Sequence, residues 1–129
     1  MFDHLSFGTL ELARATAFYD AALKPLGIAR VWTSDESVGY GGVSGEDKLA
    51  IKLRAGAALP GAGYHLALTA ASRTAVDGFF AAAVRSGGLD QGPPGLRLND
   101  GPGYDAAFVA DPDGNRLEAV CHEAVEGQS

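Results

Sequence analysis

The chain has 129 residues, a length that fits one domain and allows about two-thirds of the unfolded surface to be buried. Hydrophobic residues make up 47% and charged residues 20%, and the net charge of −6 leaves no basic patch for nucleic acid. The single cysteine, Cys121, excludes an internal disulfide, and no apolar stretch is long enough for a membrane span or resembles a signal peptide. We therefore expect a single cytoplasmic domain over residues 1–129.

The first half of the chain predicts one helix among four strands. Apolar residues between Leu12 and Leu26 are spaced three and four apart, as on the buried face of an amphipathic helix. Thr9 is expected to cap this helix, which ends near Lys24 because Pro25 follows. Alternating apolar and polar residues predict strands at 2–8, 29–33, 37–43 and 48–54.

The second half predicts the same order of elements. Ser72 is expected to cap a helix over 73–85, which the glycine pair at 87–88 terminates. The segment 89–103 is rich in glycine and proline, so only a short strand at 96–98 is expected there. The sequence DPDGN at 111–115 predicts a hairpin turn. The other predicted strands are 64–69, 106–110 and 116–122.

The two halves also repeat each other in sequence. A shift of 61 positions aligns His4 with His65 and Phe18 with Phe79, which indicates a duplicated unit. Because one helix serves four strands in each half, the sheets are expected to be mixed, with helices on one face only. The predicted fold is therefore α+β, with two tandem βαβββ modules, about 1–58 and about 61–122, whose curved sheets surround a cleft.

A small set of polar residues is expected on the sheet faces that lack helices. His4, His65 and Glu118 lie on that side of their strands, as do Ser6 and Lys52. Two imidazoles and a carboxylate form a set that binds Fe, Mn, Ni or Zn with positions left for substrate. The alternative is that both histidines are hydrogen-bonded strand residues and that the carboxylate is solvated or paired.

Three segments carry a resemblance to a known family: 3–9 (DHLSFGT), 15–28 (ATAFYDAALKPLGI) and 104–120 (YDAAFVADPDGNRLEAV). With them, nearly the whole chain resembles the vicinal oxygen chelate superfamily, which includes glyoxalases, bleomycin-resistance proteins and extradiol dioxygenases. The resemblance implies a divalent metal held by His4, His65 and Glu118. Lys52 occupies a fourth-ligand position, where glyoxalase I places a glutamate, and its ammonium group would repel a dication. A three-ligand site like that of the extradiol dioxygenases remains compatible with the sequence.

The resemblance implies a metal-dependent lyase, isomerase or dioxygenase that acts on a small oxygenated substrate, and a homodimer. Lys52 or Tyr104 would assist catalysis, and Ser6, Trp32 and Tyr40 would contact the substrate. The alternatives are that Tyr104 is an edge aromatic at the rim of the cleft and that Trp32 packs in the core. The alternative is a metal-free protein that sequesters a ligand, like the bleomycin-resistance members, in which Lys52 forms an ion pair with Glu118. A thiol-transfer enzyme of the fosfomycin-resistance type is a weaker possibility because the chain lacks a basic cluster.

Overall fold

The structure, a computed structural model, describes residues 1–122; residues 123–129 of the expected domain lie outside the described part. The described residues form two α-helices, α1 and α2, and eight strands, β1 to β8. Neither of these helices is long and apolar enough to cross a membrane. In chain order the elements are β1 Leu5–Thr9, α1 Leu12–Leu23, β2 Ala29–Thr33, β3 Ser37–Gly41, β4 Asp47–Leu53, β5 Leu66–Thr69, α2 Arg73–Arg85, β6 Leu89–Leu96, β7 Asp105–Ala110 and β8 Arg116–Cys121. Short 3₁₀ turns follow α1 and β6.

The strands form two sheets of identical topology. The first sheet has the order β1-β4-β3-β2 and the second β5-β8-β7-β6. In each sheet the first and last strands of the module run parallel, and the remaining pairs are antiparallel. The predicted α+β fold with two βαβββ modules is therefore confirmed, and β1 and β5 are edge strands of their own sheets.

The core lies between the helices and one face of each sheet. Alternate residues of the strands point toward the helices, as the period of two requires. The helix Arg73–Arg85 and its cap are as predicted, because the Ser72 hydroxyl accepts a hydrogen bond from the main-chain N–H of Ala75. The largest fully buried apolar side chains of this core are Tyr19, Tyr40, Phe18, Phe79, Leu23, Ile51 and Leu117.

The sequence analysis underestimated the length of β6. The expected short strand at 96–98 is instead the eight-residue strand Leu89–Leu96, and a 3₁₀ turn occupies Leu98–Asp100. The prolines at 93 and 94 are accommodated because this strand lies at the edge of its sheet, where a missing N–H interrupts no ladder. The pairing with β7 is irregular on both sides of Gly92.

The expectation that Thr9 caps α1 was wrong. The helix begins at Leu12, and the residue before it, Glu11, makes no side-chain cap. The Thr9 hydroxyl instead donates a hydrogen bond of 2.6 Å to Asp113 Oδ2, in the predicted 111–115 turn, and the main-chain N–H of Leu10 donates to the other oxygen of that carboxylate. A turn of the second module therefore holds the start of the first helix.

Asp111 makes the second connection between this turn and the first module. Its carboxylate is buried and accepts main-chain hydrogen bonds from Asp113 and Asn115 and a side-chain bond from the Asn115 amide. The Tyr19 hydroxyl, on α1, donates a fourth bond of 2.5 Å. Burial raises the pKa of Tyr19 well above its ordinary value, and the neighbouring Asp111 charge adds to this. The 111–115 turn thus joins the two modules through side-chain hydrogen bonds.

Candidate functional site

Glu118 is the centre of a polar cluster on the helix-free face of the second sheet. It follows Leu117 in β8, and the alternation of the strand directs Leu117 toward the core and Glu118 to the opposite face. Its cross-strand neighbours are Ala67 in β5 and Phe108 in β7. Only 2% of Glu118 is exposed, so this carboxylate requires partners.

Both carboxylate oxygens of Glu118 have a side-chain partner. The His65 Nε2 atom lies 2.9 Å from Oε1, and the Tyr104 hydroxyl donates a hydrogen bond to Oε2. Burial, followed by the hydrogen bond to Glu118 and its charge, raises the pKa of Tyr104 to about 12. The phenol therefore stays protonated at neutral pH and orients the carboxylate.

The spacing of His65 and Glu118 fits a shared metal ion. Ligand atoms about 2.1 Å from one ion and at right angles to each other are about 3 Å apart. The observed separation of 2.9 Å between Nε2 and Oε1 is that of a hydrogen bond and is also close to this value. The His65 side chain is 46% exposed, so its ring is open to solvent beside the buried carboxylate. These two residues are suitable ligands in type and spacing, but a metal site needs at least one more.

His4 is not part of this cluster within the chain. Its Nδ1 atom lies 2.7 Å from Asp3 Oδ1, and its side chain is 51% exposed. Among residues 1–122, no three His, Cys, Asp or Glu side chains are close enough to hold a metal ion together. A cavity of about 560 Å³ between the starts of β1 and β5 is lined by both His4 and His65 and otherwise mainly by apolar groups. The expected set of His4, His65 and Glu118 remains a prediction.

Lys52, expected to assist catalysis, and Ser6, expected to contact the substrate, both lie on the first sheet. Lys52 is half-buried in β4 beside Gly8 and Ser37, and Ser6 is exposed on β1. Glu118 is bonded to His65 and Tyr104, so the alternative ion pair with Lys52 is not formed within the described chain.

The two expected aromatic substrate contacts lie on opposite faces of the first sheet. Trp32 covers Gly39, where an added Cβ would lie 2.1 Å from the indole nitrogen. Tyr40 is fully buried on the helix side, and its hydroxyl donates to Asp20 Oδ1 at 3.0 Å. Burial, then this hydrogen bond, raises the pKa of Tyr40. Tyr40 also lines the 560 Å³ cavity, and the substrate contacts of both aromatics remain predictions.

The sequence analysis missed Phe108, the cross-strand neighbour of Glu118, and Arg97, which lies over the Phe108 ring. The Phe108 ring lies 6.2 Å from the His65 ring, and the Arg97 guanidinium lies 5.6 Å from the centre of the Phe108 ring. The alternation of β7 around Phe108 could have placed this ring beside Glu118. Arg97 lies outside any strand, after an irregular one, so no periodic pattern indicated its position.

Comparison with known proteins establishes the class. The profile of the Glyoxalase/Bleomycin resistance protein/Dioxygenase superfamily matches residues 1–119, so the chain belongs to this superfamily and the expected resemblance is confirmed. The chain is 30% identical to a glyoxalase/bleomycin resistance protein from Albidiferax ferrireducens T118, with a TM-score of 0.80, covering 93% of this chain and 97% of that one. A search of curated proteins gives no match.

More distant structures share the fold alone. A glyoxalase-related enzyme from Fulvimarina pelagi is 23% identical with a TM-score of 0.72, covering 94% of this chain and 87% of that one. A glyoxalase I mutant from Zea mays is 19% identical with a TM-score of 0.72, covering 92% of this chain and 46% of that one. The fold is glyoxalase-like, and the polar cluster around Glu118 is the candidate site on the grounds of its own geometry.

Proposed function

We propose that the protein is a metal-dependent lyase, isomerase or dioxygenase that acts on a small oxygenated substrate, with its site at the Glu118 cluster. The observation that carries the proposal is the 2.9 Å approach of the His65 imidazole to the buried Glu118 carboxylate. His65 and Glu118 would hold a divalent ion such as Fe, Mn, Ni or Zn, which as a Lewis acid stabilises negative charge developing on a substrate oxygen. Tyr104 keeps Glu118 oriented, and Lys52 is proposed as an assisting group.

A second copy of the chain is proposed to supply the third ligand, His4. The edge strands β1 and β5 are not paired with each other, and the mainly apolar cavity beside them is lined by both histidines. Open sheet edges of this kind are usually covered in native proteins. A symmetric homodimer that joins β1 of one copy to β5 of the other would bring His4 to the His65–Glu118 pair twice. The cytoplasmic location expected from the sequence stays a prediction.

Elemental analysis of the purified protein tests the metal. We expect a near-stoichiometric metal ion that is lost in His65→Ala and in His4→Ala. The matched control is His122→Ala, which removes an exposed imidazole whose ring contacts Tyr104 only edge-on. Absence of metal after reconstitution with each of the four ions would refute the metal-dependent function.

A mixed dimer tests the contribution of the second copy. Chains carrying His4→Ala and His65→Ala, with different affinity tags, are co-expressed and the heterodimer is isolated. If the site is shared between copies, one of the two sites regains all its ligands, and the heterodimer binds about one metal ion. A heterodimer as empty as the two single variants would show that the site is formed within one chain.

The second candidate function is metal-free ligand binding. It is favoured by Lys52, whose ammonium group would face Glu118 if the sheets of two copies enclosed a common cleft, and by the mainly apolar lining of the 560 Å³ cavity. If the protein binds its ligand without metal, Lys52→Ala is expected to bind no metal either. Lys52→Glu would supply the carboxylate that is missing at the fourth-ligand position. Metal uptake by the wild-type protein would exclude this candidate.

A further inference from the structure

Arg97 is a cation on the same sheet face as Glu118, and among residues 1–122 no carboxylate forms an ion pair with it. We propose that Arg97 binds an oxyanion of the substrate, and that the substrate is therefore a small organic acid. The inference rests on the proposed function for the location of the reacting centre, but not for the anion-binding property itself.

The guanidinium is held by the chain segment before it. Its Nη1 atom donates to the carbonyl oxygen of Gly95 at 3.0 Å, and Nη2 donates to that of Pro93 at 2.6 Å. A Cβ added at Gly95 would lie 3.2 Å from Nη1, and one at Gly92 would lie 3.5 Å from Nη2 and 3.3 Å from the Phe108 ring. The irregular β6 segment thus forms a fitted cradle, which limits the entropy that Arg97 loses on binding.

The cradle leaves the Arg97 guanidinium without a carboxylate at ion-pair distance within residues 1–122. An arginine has five N–H donors, and two carbonyl bonds leave most of them free. The carboxyl group of Asp105 is directed to the helix side of β7, where it forms an ion pair with Arg73 at 3.7 Å and interacts with the Arg97 charge only at longer range. Within residues 1–122, no carboxylate lies within 4.0 Å of Arg97. A half-buried, preorganised arginine without a carboxylate, in a chain of 16 acidic and 10 basic residues, points to an anionic ligand.

The position of Arg97 connects it to the candidate site. Phe108 lies directly opposite Glu118 in the β7–β8 register, and its ring is close to both the guanidinium and the His65 ring. Arg116 begins β8 two residues before Glu118, is exposed, and lines a small cavity of about 160 Å³ with His65 and Phe108. An acid bound to Arg97 would extend over the ring toward Glu118, with a second cation near its path.

A binding titration followed by NMR on isotope-labelled full-length protein tests the proposal. The probes are benzoate, phenylphosphonate and the neutral isostere benzamide, each with a chelator present so that metal cannot bind them. We expect an anionic probe to shift the main-chain amide signals of Gly92 and Gly95, and benzamide to leave them unchanged. Tighter binding of benzoate indicates a carboxylate substrate, and tighter binding of phenylphosphonate a phosphorylated or phosphonate substrate.

Two variants and a control locate the interaction. Arg97→Gln is expected to weaken binding of the anionic probe by about tenfold or more, as for loss of a charged hydrogen bond. Gly95→Ala keeps the charge, and its Cβ would shift the guanidinium by a few tenths of an ångström, so it is expected to weaken binding less than Arg97→Gln. The control is Arg85→Gln, which removes an exposed arginine at the end of α2 and is expected to change affinity less than about twofold.

Two results would overturn the proposal: no binding of either anion by the wild-type protein, or equal affinity of the wild-type and Arg97→Gln proteins. Because the titration is done without metal, the anion-binding result can be interpreted even if the proposed metal site is absent. Conversely, metal content measured in Arg97→Gln is expected to equal that of the wild type, so loss of anion binding there cannot come from a damaged metal site.

Discussion

The hydrogen bond between Tyr19 and Asp111 joins the two modules, and its removal should be costly. The Tyr19 hydroxyl is the one donor to Asp111 from the first module among its described partners, and both side chains are nearly inaccessible to water. A hydrogen bond to a charged group contributes about 1.5–3 kcal/mol, and burial places this bond in the upper part of that range. Tyr19→Phe removes the hydroxyl and keeps the ring, so the expected loss of unfolding free energy is about 2–3 kcal/mol.

Tyr40→Phe is the matched control for this prediction. The Tyr40 hydroxyl also donates to a carboxylate, that of Asp20, but the Asp20 side chain is 38% exposed and remains bound to Arg30 at 2.7 Å. Solvent replaces much of the lost interaction there, so the expected loss is about 1 kcal/mol. Urea denaturation followed by circular dichroism measures both values, and equal m-values would show that the unfolding reactions are comparable.

A double-mutant cycle separates the bond from other effects of the substitution. Tyr19→Phe combined with Asp111→Asn should cost less than the sum of the two single changes, by an amount close to the energy of the bond. Two results would refute a stabilising hydrogen bond between the modules. One is that the losses of unfolding free energy of the two single variants add up fully in the double variant, and the other is that Tyr19→Phe loses no more than Tyr40→Phe.

The remaining predictions concern packing and ionisation. Gly39→Ala should cost about 1–3 kcal/mol because its Cβ would overlap the Trp32 indole, whereas Gly42→Ala, with no atom within 4 Å, should be nearly neutral in the same denaturation assay. All four tyrosines have raised pKa values, so ultraviolet titration of the folded protein should show tyrosinate forming only above the ordinary value near 10, with Tyr104 at about 12. Since the unfolded chain ionises first, stability should be complete below about pH 10 and fall as pH rises through the folded pKa values; a tyrosinate signal near pH 10 in the native protein would contradict this.

Local sequence patterns determined the helices, most of the strands and the family. The second helix was predicted over its observed range because Ser72 and the glycine pair after it are strong boundary signals. The duplication around His4 and His65 predicted two equivalent modules, which the two sheets of identical order confirm. Alternation in β8 likewise placed Glu118 opposite Leu117 and away from the core.

Only the tertiary structure decided which distant residues meet. Thr9 looked like a helix cap, but its hydroxyl binds Asp113, more than a hundred residues away, because the modules pack through their helices and bring the turn to β1. Sequence periodicity could not place Arg97 over Phe108, since the guanidinium is positioned by carbonyl groups of an irregular strand. Periodicity fixes the face on which a residue lies, whereas the partners on that face depend on sheet order and packing, which no local pattern encodes.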